Sequence, residues 1–197
     1  GAALRAAPGS EEIKEVDAVH GGCWKRDRLL SVGCFDESMV RNQDDELSFR
    51  LRKAHGKIFQ ATSLRVKYHV RNSFWKLFLQ FAQYGYWKVH VVRKHPQQAS
   101  LRHFVPGAFV LLILLLAILA PFWRWAALGW TSILGSYLIA LSCVSIFQCW
   151  KQIYLVPGVV IALVMMHLGY GFGFLVGSLR HCLGSLPAHK FFEQVTR

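Results

Sequence analysis

From Leu47 to Phe192 the chain contains no aspartate or glutamate, although ten of its eleven acidic residues are crowded into the first 46 positions. A water-exposed surface normally mixes both signs of charge, so a run of this length without a carboxylate excludes an ordinary soluble domain for most of the 197 residues. Two regimes follow one another inside it. Arg50 to Arg102 carries twelve lysines and arginines, and beyond Arg102 charge almost vanishes until Arg180. The first regime is electropositive and attracts phosphate, whether on nucleic acid, on lipid headgroups or on a nucleotide-linked substrate. The second has the composition of a lipid-facing segment.

Phe104 to Phe122 is a nearly uninterrupted apolar run containing LLILLLAILA. At about 1.5 Å per helical residue it is long enough to cross a hydrocarbon core of about 30 Å, which predicts a transmembrane helix. Residues 125–149 and 155–179 predict two more, separated by short connections that hold Arg124 and Lys151. Eighteen lysines and arginines precede the first span, so the N-terminal region is expected on the cytoplasmic face of the membrane. Three crossings put the tail, 180–197, outside. Arg180, Lys190 and Arg197 in that tail weigh against this side and keep a two-span or re-entrant arrangement open.

Residues 73–103 read as an interfacial helix with a basic linker. Ser73 to His95 interleaves Trp75, Phe78, Phe81, Tyr84, Tyr86 and Trp87 with Lys76, Lys88, Arg93 and Lys94. Aromatic rings of this kind sit at headgroup depth while the cations meet anionic lipid. An aromatic platform for single-stranded nucleic acid mixes the same residue types, but an apolar span starting about ten residues later favours membrane lipids as the partner, not nucleic acid. Gly85 is expected to kink or interrupt the helix.

Residues 1–72 look like part of an α/β domain. Leu64, Val66, Tyr68 and Val70 alternate with Arg65, Lys67, His69 and Arg71, predicting a strand with one apolar and one basic face. Asp45 to His55 predicts a short helix, with Glu46 and Arg50 at i,i+4 and Gly56 as its stop signal. About seventy residues are too few to close a nucleotide-binding α/β domain around its own core. With no methionine and no signal-peptide pattern at Gly1, a segment upstream is expected. The five cysteines form no C-x-x-C pair and are odd in number, so reduced, structural thiols are expected rather than a disulfide framework or a zinc site built with His20, Cys23 and Cys34.

The stretch from Gly33 to Ile58, GCFDESMVRNQDDELSFRLRKAHGKI, resembles the family 2 glycosyltransferases. In that family a G-G-F-D-E stretch leads into an acidic E-D motif, then a helix with E-L and an arginine, then Gly-Lys-Ile and a strand. The resemblance places Asp44 on the catalytic base and Glu46, Leu47 and Arg50 on the helix. Gln43 stands where the family has glutamate, keeping hydrogen bonding without charge, and leaves Asp45 as an alternative base. A carboxylate at a helix N-terminus is favoured in its ionised form and so is able to accept a proton from a sugar hydroxyl. Without the family, Asp44 reads as a helix cap.

Upstream, Val16 to Arg26 resembles the family's strand and glycine turn. Gly21 and Gly22 allow close backbone approach, and Trp24 is read either as stacking on a sugar ring or as a buried turn residue. Downstream, Arg71-Asn-Ser and Gln80 to Lys88 resemble the segment that carries the Q-x-x-R-W motif of processive relatives. Gln80 matches, Gln83 and Tyr84 replace Arg-Trp, and Trp87 follows, so transfer of one or a few sugars is expected rather than polymer synthesis. RHFVP at Arg102 and HLGYGFGFLVG at His167 resemble the succinoglycan-type, exopolysaccharide branch. Those glycines also read as close helix packing, and His167 as a hydrogen-bonded packing residue.

The resemblance thus implies the C-terminal half of a GT-A fold, an interfacial helix and about three transmembrane helices. It implies an inverting enzyme that takes a nucleotide-sugar donor and a lipid-linked or polysaccharide acceptor, with a divalent metal, magnesium or manganese, whose D-x-D ligands do not occur in this chain. Gly22, Trp24, Gln43, Asp45, Arg71, Gln80, Gln83 and Trp87 are its acceptor-side candidates. A non-enzymatic membrane protein or transporter subunit with a basic domain is the alternative, and it gives Asp44 no special role.

Overall fold

In a computed structural model of the chain, which describes residues 13–19, 22–61, 72–184 and 192, the polypeptide divides into two units, Gly1–Val70 and Arg71–Arg197. In the first unit β1 (Ile13–Glu15) pairs antiparallel with β2 (Phe59–Ala61), Ile13 opposite Ala61 and Glu15 opposite Phe59. The N–H of Val16 extends the pairing to the carbonyl of Ile58 at 2.9 Å. Between the strands lie α1 (Arg26–Ser31), which the sequence pattern did not predict, and α2 (Gln43–Lys53). Met39, Leu47, Phe49, Leu51 and Ile58 form the buried apolar set around α2.

Among the described residues this sheet has two strands of three residues each, so the α/β half-domain expected from the sequence is not established. The alternating segment from Leu64 to Arg71 lies outside the described residues. The predicted helix is present but begins two residues earlier, which puts Asp44 inside its first turn. Asn42, in the left-handed region at φ 61°, holds the cap position instead. The stop also differs in detail. His55 takes the left-handed position (φ 58°), and the N–H groups of His55 and Gly56 bond the carbonyls of Arg52 and Leu51 at 2.9 Å each. This 5→2 and 6→1 pair closes the helix.

The second unit consists almost wholly of helices: α3 (Phe74–Lys94), α4 (Leu101–Leu119), α5 (Arg124–Gln148) and α6 (Val156–Cys182). Their ends follow from prolines. Pro96 pushes His95 out of helical geometry, Pro121 follows the end of α4, and Pro157 sits in the first turn of α6, where a missing N–H costs nothing. At the start of α4 the N–H of Ser100 donates to Nδ1 of His103 at 3.2 Å, a reciprocal cap with histidine in the usual glutamate position.

Among the described residues three helices are long and apolar enough to cross a membrane: Leu101–Leu119, Arg124–Gln148 and Ile153–Cys182. Leu111, Leu112, Leu114, Leu115 and Ile118 point outward along α4, as a lipid-facing surface requires. Leu116 approaches Gly129, and the rings of Phe109 and Tyr137 lie 4.7 Å apart, so α4 and α5 form an antiparallel hairpin.

The closest packing is between α3 and α6. Gly169 meets the backbone of Phe78, Gly173 that of Ala82, and Gly177 that of Tyr86. Both numbers rise by four at each step, so the two helices run parallel with backbones in contact for at least two turns. From the other side Gly85 admits the backbone at Tyr170 and Phe174. The expected interruption at Gly85 is therefore absent, and α3 runs unbroken from Phe74 to Lys94. Glycine is there to remove a side chain from the contact rather than to bend the helix.

A Cβ at Gly169 would lie 2.6 Å from the carbonyl oxygen of Phe78, and Gly173 is tighter still against Ala82. Gly158, by contrast, has open space around it. Gly173→Leu should therefore separate α3 from α6 and lower the thermal unfolding midpoint of the detergent-solubilised protein by about 5 °C or more. Gly158→Ala should leave that midpoint unchanged or slightly raised.

Candidate functional site

The acidic start of α2 is built from the loop that precedes it. Asp36 accepts the N–H of Ser38 at 3.0 Å and its hydroxyl at 2.6 Å, a local turn that leads to the buried Met39. The carbonyl of Met39 in turn accepts a hydrogen bond from the Gln43 side chain. Gln43 therefore holds the loop to the first turn of α2, a task that an ionised glutamate, having no donor, could not perform. Asp44, Asp45 and Glu46 follow at the end of the helix where free N–H groups favour negative charge, and Arg50, Arg52 and Lys53 occupy the opposite end.

These three carboxylates are not equivalent. Glu46 is fully buried and is held by Arg50 through three contacts, Nε to both carboxylate oxygens at 2.8 and 2.9 Å and Nη2 to Oε2 at 2.8 Å. The rest of the guanidinium reaches back sixteen to eighteen residues in sequence, Nη2 to the carbonyl of Cys34 at 2.6 Å and Nη1 to that of Val32. Gly33 (φ 84°) and Cys34 (φ 59°) both lie in the left-handed region, a turn that brings these carbonyls to one cation. The i,i+4 pair predicted from the sequence is present, but its larger effect is to clamp the Val32–Cys34 turn onto α2. Sequence spacing gave no signal for that reach.

Asp44 and Asp45 remain half-buried on the first turn of α2, next to Gln43. The opposing pair at the base of the unit, Lys57 with Glu15 at 3.3 Å, is exposed, as is the contact of Arg52 with Asp17. Trp24 is half-buried, and its indole folds over Gly22, where a Cβ would come within 2.5 to 2.8 Å of the ring and 2.8 Å of Val19. Gly22 thus makes room for the indole of its own chain. Gly21 and Arg71, and His20 with them, lie outside the described residues.

In the second unit Gln80, Gln83 and Trp87 share one stripe of α3 at i, i+3 and i+7, and all three are buried. Gln80 donates to the Tyr84 hydroxyl at 2.8 Å, and the Trp87 indole N–H donates to the carbonyl of Phe192 at 2.8 Å. The Phe192 ring stacks on Tyr86 at 4.3 Å, and Arg180 bonds the Tyr86 hydroxyl with its guanidinium 5.7 Å from that ring. None of these tail and Arg180 contacts was foreseen from the sequence. The only hint was that Arg180 is the first cation after the last apolar run. His167, expected to be a hydrogen-bonded packing residue, meets the Tyr137 hydroxyl at 3.0 Å between α5 and α6.

All five cysteines are free. Cys23, Cys143 and Cys182 are exposed and Cys34 and Cys149 half-buried, so none packs a core. Among the described residues no three His, Cys, Asp or Glu side chains gather to hold a metal ion. Glu46, the most buried carboxylate, is already spent on Arg50. The described residues do not fit the divalent ion that the family resemblance implies.

Comparison with curated proteins finds similarity to the Succinoglycan biosynthesis protein ExoA of Rhizobium meliloti (strain 1021), 28% identical over 159 residues. The aligned part covers 79% of this chain and 46% of that protein, so the chain spans less than half the length of the curated relative it matches. No family model matches the chain, and no solved structure matches it.

Removing Glu46 strands the Arg50 cation in a partly buried site, a loss of about 3–5 kcal/mol by the usual behaviour of broken buried pairs. Glu46→Ala should accordingly make the first unit sensitive to limited proteolysis under conditions where the parent resists. Lys57→Ala, which breaks an exposed pair worth about 1 kcal/mol at most, should leave the digestion pattern unchanged.

Proposed function

We propose that this chain carries the acceptor side of an inverting glycosyltransferase that moves a sugar from a nucleotide donor to a lipid-linked or polysaccharide acceptor at a membrane surface. The similarity to a succinoglycan biosynthesis protein supports a glycosyltransferase-like relationship, and three helices of membrane-spanning length fit association with lipid. The observation that carries the chemistry is the acidic first turn of α2. Glu46 is held by Arg50 and Gln43 is tied to Met39, and Asp44 and Asp45 stand half-buried between them in the sequence, in the first turn of the helix.

In this reading Asp44 is the general base. Its carboxylate takes the proton of the acceptor hydroxyl as that oxygen bonds to the anomeric carbon, and the bond from that carbon to the nucleoside diphosphate breaks. Attack opposite the leaving group inverts the centre. General-base catalysis of this kind is worth about 10²–10⁴ in rate. Gly22, Trp24, Gln43 and Asp45 are the acceptor-side candidates of the first unit, and Arg71, Gln80, Gln83 and Trp87 are those the family resemblance adds from the second. The N-terminal region is placed on the cytoplasmic face, where nucleotide sugars are available.

Asp44→Asn keeps the size and hydrogen bonding of the residue while removing the base. In membranes containing the intact protein it should lower the transfer of labelled sugar into lipid or polysaccharide by about 100-fold or more, with protein level and membrane insertion unchanged. Transfer at the parental rate would overturn the assignment of Asp44, and the same measurement on Asp45→Asn would then decide whether its neighbour is the base. Absence of any transfer by the parent protein would favour a non-enzymatic membrane protein.

A further inference from the structure

Four observations in the second unit bear on how it sits in a bilayer. Continuing the parallel α3–α6 register past Gly177 and Tyr86 carries Lys94, the last residue of α3, level with the chain just beyond the end of α6 at Cys182. Only residues 95–100 join Lys94 to Leu101, a reach of about 25 Å at full extension and less here because a helical turn occupies Pro96–Gln98. The start of α4 is therefore held near the C-terminal end of α6. Direct contacts agree. Phe104 packs edge-on against Phe174 at 5.5 Å, Gly107 faces the same ring, and Gly171 lies against Pro106 and Val110.

The chain beyond α6 returns to the same place. Phe192 stacks on Tyr86 and accepts from Trp87, and Arg180 bonds Tyr86, all on the C-terminal half of α3. The end of α3, the start of α4, the end of α6 and Phe192 thus share one end of the unit. Three complete crossings by α4, α5 and α6 would separate the first residue of α4 from the last of α6 by the thickness of the bilayer. Helices that enter and leave at one end imply an even number of crossings.

The antiparallel hairpin of α4 and α5 supplies those two crossings, and exposed aromatic residues mark its two ends. Phe122, Trp123 and Trp125 cluster at its turn, and Trp150 and Tyr154 follow the end of α5. Charge follows the same division: Lys151, Arg180 and His181 fall at the end shared with Arg93, Lys94 and Arg102. α6 also differs from the other two. Its glycine face is covered by the backbone of α3 rather than by lipid.

We propose that α3 and α6 form a paired layer seated on the lipid bilayer at the face where α4 begins, that α4 and α5 alone cross it completely, and that the chain leaves α6 on the side from which it enters α4. The lipid partner lies against the apolar side of α6 where Ile161, Phe172 and Leu179 are exposed, beside the stripe that α3 covers. This arrangement is independent of the chemistry assigned to Asp44.

The test uses sealed membrane vesicles and a membrane-impermeant maleimide, on variants of the intact protein that keep one cysteine each. Cys182 should be labelled from the same face as Ala99→Cys in the α3–α4 connection, and Ala120→Cys at the hairpin turn should lose all labelling unless the vesicles are opened. Labelling of Cys182 from the face of Ala120→Cys would mean three full crossings and overturn the proposal. Where single-cysteine variants fail to accumulate, an epitope inserted after Gln97 and another after Arg197 give the same answer by protease protection. Removal of both from one face supports the paired layer, and protection of only one rules it out.

Discussion

The direct contact of the α3 and α6 backbones holds the second unit together. Inside or beside a bilayer, apolar side chains gain little by leaving lipid for protein, so helices associate through close packing and hydrogen bonds. Gly169, Gly173 and Gly177 on one helix and Gly85 with Ala82 on the other remove the side chains that would keep the two axes apart. Everything else in the unit is arranged around that seam. Gly171 and Phe174, on a neighbouring stripe of α6, receive α4, and Tyr86 and Trp87 receive Arg180 and Phe192. The register of one contact therefore fixes where three other parts of the chain end.

A charged counterpart organises the first unit. Arg50 neutralises a buried carboxylate and, with the rest of its planar guanidinium, binds two carbonyls of a left-handed turn. A lysine has a single point of charge and could not satisfy both sets at once. The clamp takes one acid out of the acidic first turn of α2 and stiffens the loop leading to it. It thereby separates a structural carboxylate, Glu46, from the two that remain at the helix start.

Much of this was legible in the chain. The helical segments were visible because long apolar runs without carboxylates have few other folds available to them, and prolines mark their ends. The boundaries moved by about three residues at most from 104–122, 125–149 and 155–179 to those of α4, α5 and α6. The acidic helix was visible from the i,i+4 spacing of Glu46 and Arg50 and from Gly56 as its stop signal. Gly85 was misread, because a glycine flanked by aromatic residues has the same local signature whether it breaks a helix or admits another one. The α/β character expected of residues 1–72 rests on a strand outside the described residues, and the two short strands in the described part do not establish it.

Composition and periodicity alone determined that the chain is helical over most of its length, that three of its helices are long and apolar enough to cross a membrane, and that three of its carboxylates gather at the start of one short helix. These are local properties, governed by how a residue and its near neighbours partition between water and hydrocarbon and by which backbone angles they allow. Which glycines meet which backbone, which arginine reaches which carbonyl, and which end of α6 lies beside the start of α4 were decided only by the tertiary structure. Such contacts join residues tens of positions apart, and their energy comes from shape and hydrogen-bond geometry that no one-dimensional pattern encodes.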